Sequence, residues 1–253
     1  LDVEPAYEMR QDVYENLPLA ELDQHLDEIT ASAYGVSLFT DWQRPRFTQV
    51  WLKSRTAETT PKPPAWFGAT RAPAPRHPIA SLSAQPCTEQ MGVPGPWHER
   101  LPHFRLAFTP SSGEELQSEY LVPRPHALPA LHALARLGPQ IAPWLQISEV
   151  RTIAADALWM SPCYQQRCVG IHFTWMKAWP AVRELLPRIE AALAPFDARP
   201  HWGKLFAMDA GRLRALYPRL PDFRALAHQF DPAGKFRNAF LDRHLFGAQG
   251  ELA

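Results

Sequence analysis

The chain has 253 residues, of which 26 are basic and 26 acidic, with 46% hydrophobic and 21% charged residues. This composition is typical of a globular protein and excludes a disordered or fibrous chain, and the balanced charge gives no reason to expect nucleic acid or anionic lipid as a partner. The three cysteines are too few for a disulfide-stapled secreted scaffold and suit a reducing cytoplasm, and no apolar run approaches the roughly 20 residues of a membrane span.

The first half of the chain predicts one helix, one strand and a long loop. Apolar residues recur at helical spacing and predict a helix over residues 18–35. Phe47–Lys53 is rich in aromatic and β-branched residues and predicts a strand. Ten of the 27 prolines lie between Arg55 and His103, so this segment predicts a long loop. We expect much of it to pack on the fold, because it carries aromatic residues that a linker does not need: Trp66, Phe67 and Trp97.

The middle of the chain predicts a hairpin and a helix. Phe104–Thr109 and Leu116–Val122 have strand character, and the turn-forming run Pro110-Ser111-Ser112-Gly113 separates them. Leucines at positions 128, 131, 134 and 137 form a helical stripe. Gly138-Pro139 is a common signal for the end of a helix, so we expect this helix to stop there.

The remaining elements complete an α+β pattern. Leu145–Ile153 and Cys168–Trp175 predict two strands, and the apolar spacing from Val182 to Leu193 predicts a helix that Pro187 should kink or split. Two short helices follow, Leu213–Tyr217 and Phe223–Phe230, and Asp231-Pro232-Ala233-Gly234 ends the second. Strands and helices in this order predict a largely antiparallel sheet with helices covering one face.

Several common catalytic signatures are absent from the sequence. It has no G-x-G-x-x-G dinucleotide fingerprint, no phosphate-binding loop and no G-x-S-x-G nucleophile elbow. Its ten histidines form no H-E-x-x-H motif, and the spacing of Cys163 and Cys168 matches no zinc pattern. We therefore expect no metal centre, and we expect the cysteines to be small buried apolar residues.

Charged and polar residues share faces on three of the predicted strands. Residues two apart point to the same side of a strand, so three pairs lie side by side: Gln117 with Glu119, Glu149 with Arg151, and His172 with Thr174. If these strands are neighbours, the sheet presents a surface of hydrogen-bond donors and acceptors that suits a polyhydroxylated ligand. Taken alone, Glu149 with Arg151 is more often a structural ion pair than a site, His172 is more often a hydrogen-bonded, partly buried histidine, and Gln117 indicates nothing.

Several long runs of the sequence resemble the C-terminal half of bacterial alditol (xylitol) oxidases. These enzymes are flavoproteins of the vanillyl-alcohol-oxidase type and are similar to the aldonolactone oxidases. The resemblance covers nearly the whole chain. The runs that carry it are Cys87-Thr88-Glu89-Gln90, Gly92 through Phe104, Glu115-Leu116-Gln117-Ser118-Glu119-Tyr120, Arg199-Pro200-His201-Trp202-Gly203-Lys204, Leu216-Tyr217-Pro218-Arg219-Leu220 and Leu226 through Asn238.

The resemblance implies a polyol site and roles for its residues. The positions that match the family's site are Gln117, Glu149, Arg151, His172, Thr174 and Lys204. In that family, FAD accepts a hydride from the terminal carbon of the polyol, and oxygen reoxidises the flavin to give hydrogen peroxide. Arg151 then stabilises alkoxide character, and Lys204 is the candidate for removing the hydroxyl proton, with His172 as an orienting group or secondary donor. Gln117, Glu149 and Thr174 then contact the remaining hydroxyls.

The resemblance also implies that a flavin domain precedes this chain. The chain begins Leu1-Asp2-Val3, with neither an initiator methionine nor a signal sequence, and we expect it to be part of a longer protein. Residues 1–203 then form a substrate-binding cap, and residues 204–253 return to the N-terminal FAD domain, which is the chain's expected partner. Two alternatives stay open, an aldonolactone oxidase and a non-catalytic carbohydrate-binding fragment.

Overall fold

One antiparallel sheet forms the centre of the molecule. The structure is a computed structural model that describes residues 3, 5–58, 63–108 and 114–246. Within these residues the sheet has ten strands. They are β1 (Glu8–Pro18), β2 (Gly35–Thr40), β3 (Arg46–Arg55), β4 (Ala65–Trp66), β5 (Ala69–Arg71), β6 (Gly95–Pro96), β7 (Glu115–Pro123), β8 (Leu145–Ile153), β9 (Cys168–Met176) and β10 (Arg199–Pro200). Their order is β10-β7-β9-β8-β2-β3-β1-β5-β4, with β6 paired to β1.

The first three of the six α-helices in the described residues cover one face of this sheet, and the last three belong to a separate apolar cluster. The helices are α1 (Leu22–Thr30), α2 (Ala127–Ile141), α3 (Trp179–Leu193), α4 (Ala210–Leu216), α5 (Leu220–Phe230) and α6 (Ala239–Leu241). Alternate residues of β9, from Val169 to Trp175, are buried against the apolar stripes of α2 and α3 in the main core. Burial of apolar side chains on one face leaves the intervening residues of each strand on the other face. The predicted α+β class, with a largely antiparallel sheet covered on one side, is confirmed.

Strands β1 and β2 were not predicted from the sequence. In β1, Gln11 and Asp12 are both fully buried, and polar residues at buried positions hide the alternation that marks a strand. Helix α1 is shorter than the helix predicted over residues 18–35. Both ends of that range belong to strands, since Pro18 is the last residue of β1 and Gly35 is the first residue of β2.

The predicted hairpin at Phe104–Thr109 is wrong in its first strand. Phe104 makes only an isolated bridge to Cys87, and turns follow it up to residue 108. The second strand is present as β7, but its partners are β9 and β10, which come later in the chain. Thr109 and the predicted turn at Pro110-Ser111-Ser112-Gly113 lie outside the described residues.

Neither proline that was expected to interrupt a helix does so. Helix α2 continues through Gly138-Pro139 to Ile141, which is fully buried, so core packing outweighs the hydrogen bond lost at the proline. Gly138 instead allows a close approach of the backbone, because a Cβ there would collide with the carbonyl oxygen of Trp42. Helix α3 likewise runs through Pro187 as one helix, with buried residues on both sides of the proline.

The proline-rich segment packs on the sheet, as predicted. Its Ala72, Cys87 and Phe104 join a second apolar cluster on the face opposite the helices. This cluster includes Val13 of β1 and Trp51 of β3. The segment thus covers the β1–β3 half of that face. Its cluster reaches β8 at Ile147 but includes no residue of β7 or β9.

Candidate active site

The candidate site lies on the sheet face opposite helices α1, α2 and α3. Strands β7, β9 and β8 are adjacent in that order, so the condition set by the sequence analysis is met. In the strand register, His172 stands between Glu119 and Glu149, and Thr174 stands opposite Gln117. Directly opposed residues of antiparallel strands have side chains within reach of each other. We call the six residues of this surface the polar face: Gln117, Glu119, Glu149, Arg151, His172 and Thr174.

Arg151 bridges the two carboxylates of the polar face. Its Nη2 donates to Glu119 Oε1 at 3.0 Å, and its Nη1 donates to Glu149 Oε2 at 3.4 Å. The side chain of Arg151 is 39% exposed, whereas the side chains of Glu119 and Glu149 are 4% and 10% exposed. The Arg151 side chain therefore still reaches solvent, and a ligand can contact it from the open side. Gly170 of β9 lies opposite Arg151 of β8. A side chain at this position would crowd the Glu119 carboxylate, because a Cβ would lie 3.2 Å from Glu119 Oε1.

Lys204 reaches the polar face from the edge of the sheet. β10 pairs with β7, and the backbone then continues along β7, with His201 N–H donating to the Glu119 carbonyl and Leu205 N–H to the Gln117 carbonyl. The turn between these two bonds presents Lys204. Its Nζ lies 2.5 Å from Glu119 Oε2 and 2.8 Å from His172 Nδ1.

His172 can share a proton with its neighbours in two arrangements. Its Nε2 lies 3.1 Å from Thr174 Oγ1, and its Nδ1 lies 2.8 Å from Lys204 Nζ and 3.5 Å from Glu119 Oε2. With neutral imidazole and the proton on Nε2, Nδ1 accepts from Lys204. With both nitrogens protonated, Nδ1 donates towards the carboxylate. The site can therefore move one proton between the lysine and the imidazole.

The surroundings of the two carboxylates keep them ionised. Burial acts to raise the pKa of Glu119, but the hydrogen bond from His172 and the charges of Arg151 and Lys204 outweigh it and hold that pKa well below its usual range. Burial likewise acts to raise the pKa of Glu149, but His103 and Arg151 lower it to about 2. For Arg151, burial acts to lower the pKa, but Glu149 and Glu119 raise it, so this residue cannot serve as a base. Near neutral pH both carboxylates are acceptors only.

A cavity of about 730 Å³ opens at one end of the polar face. Its polar walls include Gln117 and Lys204, and its aromatic walls are Trp202, Phe206 and Phe240. This mixture of apolar walls and a few directed polar groups is typical of a small-molecule site. A larger groove of about 990 Å³ lies around α5 and the segment up to Phe246, but its walls are mainly apolar and include no residue of the polar face.

The structure brings all six sequence-predicted residues to one surface. Gln117, Glu149, Arg151, His172 and Thr174 come from the three neighbouring strands, and Lys204 contacts His172 from the turn after β10. Glu119 was predicted to lie beside Gln117 but was not among the predicted site residues, although it lies at the centre of the contacts. His103 was not predicted at all, and its Nε2 lies 3.1 Å from Glu149 Oε1. Neither residue has a sequence motif of its own.

Two negative findings apply to the described part of the chain. None of its helices is long and apolar enough to cross a membrane. Among the same residues, no group of three or more histidine, cysteine, aspartate or glutamate side chains is arranged to hold a metal ion.

Comparison with known proteins gives one family and several relatives. The sequence model of the D-arabinono-1,4-lactone oxidase family matches residues 112–244, just over half of the chain. An alditol oxidase of Streptomyces sp. is 55% identical over 241 residues, which are 95% of this chain and 57% of the Streptomyces protein. An L-gulono-1,4-lactone dehydrogenase of Mycobacterium tuberculosis is 29% identical over 132 residues, covering 51% of this chain and 30% of that protein. An L-gulonolactone oxidase of Bos taurus is 26% identical over 134 residues, covering 49% and 30%.

Proposed function

The chain belongs to the D-arabinono-1,4-lactone oxidase family, and from this premise we propose that it is the substrate-binding part of an FAD-dependent alditol oxidase. The reaction is oxidation of a primary alcohol of a linear sugar alcohol. The observation that carries the proposal is the chain of contacts from Glu149 through Arg151 and Glu119 to Lys204, in which the Arg151 side chain remains 39% exposed. The chain spans 57% of the length of the Streptomyces alditol oxidase, so a further domain is part of the proposal.

The polar face matches the hydrogen-bonding needs of a polyol. Each hydroxyl of such a substrate both donates and accepts, so its site must offer both kinds of group. The ionised Glu149 accepts, Arg151 donates, and the amide of Gln117 can do both. We assign substrate contacts to these three residues and to Thr174. His172 orients the lysine.

The residues at the cavity also fit a flavin. His244 forms part of the cavity wall, and its buried Nδ1 has no hydrogen-bond partner among the described residues. Buried polar atoms of this kind are rare unless a ligand or water satisfies them. The edge of a heteroaromatic ring offers such a partner, and Trp202 and Phe240 provide apolar surface beside it. We therefore propose FAD as the cofactor, held mainly by an N-terminal domain, with residues 1–203 as the cap and residues 204–253 as the segment that returns to that domain.

The chain's own residues orient the alcohol and take up its proton. When bound, a flavin supplies the acceptor for the hydride of the carbinol carbon, and dioxygen reoxidises it with formation of hydrogen peroxide. Arg151 stabilises negative charge that develops on the substrate oxygen. Lys204 Nζ accepts the hydroxyl proton while it passes one of its own protons to His172 Nδ1, 2.8 Å away. The imidazolium that forms faces the Glu119 carboxylate at 3.5 Å.

A spectroscopic experiment tests the proposal. The protein, purified together with the proposed flavin domain, should show the visible absorption of a flavin, and adding xylitol without oxygen should bleach it. Readmitting oxygen should restore the band with one hydrogen peroxide formed per flavin. A flavin that xylitol leaves oxidised but D-arabinono-1,4-lactone bleaches would favour a lactone oxidase, which the family's description makes the second candidate. Binding of polyol by a protein without flavin would leave only the carbohydrate-binding alternative.

Replacing Lys204 by methionine should slow anaerobic flavin reduction about 10²–10³-fold at saturating xylitol, because the first acceptor of the hydroxyl proton is removed. Methionine keeps most of the side-chain volume, and Glu119 keeps its bond to Arg151. Lys177→Met is the matched control, since Lys177 is an exposed lysine just after the end of β9 that pairs with Glu114. Rapid-mixing absorbance gives the rate directly. Unchanged reduction in Lys204→Met would remove the lysine from the mechanism.

A further inference from the structure

His103, in the proline-rich segment, contacts the polar face. Its Nε2 lies 3.1 Å from Glu149 Oε1, and the Ser37 hydroxyl lies 3.3 Å from the same nitrogen. Because an ionised carboxylate only accepts hydrogen bonds, Nε2 must carry the hydrogen in this contact. The imidazole is packed edge-on against two aromatic rings, Trp51 with centroids 5.2 Å apart and Phe39 with centroids 5.7 Å apart. Its position is therefore fixed by the sheet beneath it.

The backbone around His103 is anchored by two buried side chains. Lys53 of β3 is 3% exposed, and its Nζ donates to the carbonyls of Arg100 at 2.8 Å and Pro102 at 2.7 Å. The Thr88 hydroxyl also donates to the Pro102 carbonyl, at 2.6 Å, and the Thr88 N–H donates to the His103 carbonyl at 3.0 Å. Burying a lysine beneath a loop is costly unless its donors are used, so this arrangement serves to hold the segment in place.

The anchor does not depend on the charge of the lysine. Burial lowers the pKa of Lys53 to about 7, while the charge of Glu149 works against this shift. The ammonium has three N–H donors and the neutral amine has two, and two are enough for the carbonyls of Arg100 and Pro102. The loop thus stays anchored on either side of neutral pH.

Glu149 depends on His103 for its orientation. Besides a hydrogen bond with Ser37, its remaining contact is with Arg151 Nη1, which is long at 3.4 Å, whereas Arg151 has a shorter bond to Glu119 at 3.0 Å. Without the imidazole, the Glu149 carboxylate can turn to make a closer, two-oxygen contact with the guanidinium. That movement takes both the acceptor and the donor away from the substrate.

We propose that His103 is a positioning residue for substrate binding, which holds the Glu149 carboxylate towards the polyol, and that Lys53 keeps His103 in place. The inference rests on the proposed function, because it assigns Glu149 to a substrate hydroxyl. The proline-rich segment is thereby a part of the site, and its contribution is to substrate affinity rather than to the transfer of hydride or proton.

Steady-state and anaerobic kinetics of the complete flavoenzyme test this role. His103→Leu should raise KM for xylitol about tenfold, the effect of losing one hydrogen bond to a charged group, and should leave kcat within about twofold. His103→Gln, which keeps an N–H donor, should recover most of the affinity. His77→Leu is the control for loop packing, because His77 also packs against Phe104 in the same segment but has no contact with Glu149.

A double-mutant cycle tells whether His103 acts through Glu149. In a Glu149→Gln background, His103→Leu should add less than about twofold to KM, because the group that it positions has been changed. A full tenfold effect in that background would overturn the proposal, as would an equal rise in KM for His77→Leu or an unchanged KM for His103→Leu. Thermal unfolding and the flavin spectrum show that each variant is folded. If His103→Leu is not folded, His103→Asn, whose shorter amide places no donor at the position of Nε2, takes its place in the cycle. A native enzyme that does not oxidise xylitol would instead refute the proposed function.

Discussion

Replacing Arg151 by methionine in the complete flavoenzyme should lower kcat/KM for xylitol about 10³-fold, the upper end of the range for one lost oxyanion-type donor. Two roles are lost together. The guanidinium no longer stabilises the substrate oxygen, and the carboxylates of Glu119 and Glu149 lose the cation that they share. Rapid-mixing measurement of flavin reduction without oxygen reports the first loss directly.

Arg151→Lys should recover little of the lost activity. A lysine ammonium is a point charge and cannot make two separate bonds to Glu119 and Glu149 while also facing a substrate, whereas the planar guanidinium can. Arg188→Met is the matched control, because Arg188 lies on α3 and contacts only Gln140 among the bonds that we describe. Arg151→Met activity within tenfold of the native enzyme would contradict the assigned role.

The arrangement of the polar face was largely predictable because it follows from the period of a strand. Apolar residues alternate from Val169 to Trp175, so His172 and Thr174 had to face away from the core. The same reasoning placed Glu149 beside Arg151. That the three strands are neighbours was a condition in the sequence analysis, because strand order depends on contacts between distant parts of the chain.

The residues that were missed take part in contacts that no local pattern encodes. His103 lies in a segment without periodicity, and its contact with Glu149 joins residues 46 positions apart. Glu119 lies on a well-predicted strand, but its importance comes from Arg151 and from Lys204, which is 85 positions away. Strand β1 was missed because its local pattern misleads: its buried polar side chains give it the pattern of a surface segment.

Replacing Glu119 by glutamine should lower the free energy of unfolding of the chain by about 3–5 kcal/mol, the usual cost of removing one partner from a buried ion pair. The carboxylate is nearly inaccessible and receives Arg151 Nη2 and Lys204 Nζ. A neutral amide of the same volume leaves these two cations close together with only Glu149 to compensate them. Urea denaturation followed by tryptophan fluorescence gives the difference in free energy.

Glu114→Gln is the matched control for this substitution. Glu114 forms a 2.8 Å pair with Lys177, but both side chains are more than 60% exposed. Exposed pairs contribute about 0–1 kcal/mol because water and salt screen them, so this variant should unfold almost like the native chain. Equal losses of unfolding free energy for the two substitutions would show that burial and shared contacts do not increase the contribution of Glu119 to stability.

Acid should erase the difference between the native chain and Glu119→Gln. The pKa of Glu119 is lower in the folded chain than in the unfolded chain, so the unfolded chain takes up its proton first as the pH falls. The stability that this carboxylate provides is therefore complete above its ordinary pKa of about 4.5 and declines progressively below it. The two unfolding curves should approach each other between pH values of about 4.5 and 2. A difference that stays constant over that range would mean that glutamine destabilises the fold by packing alone, and that the charge of Glu119 is not what holds Arg151 and Lys204 at the site.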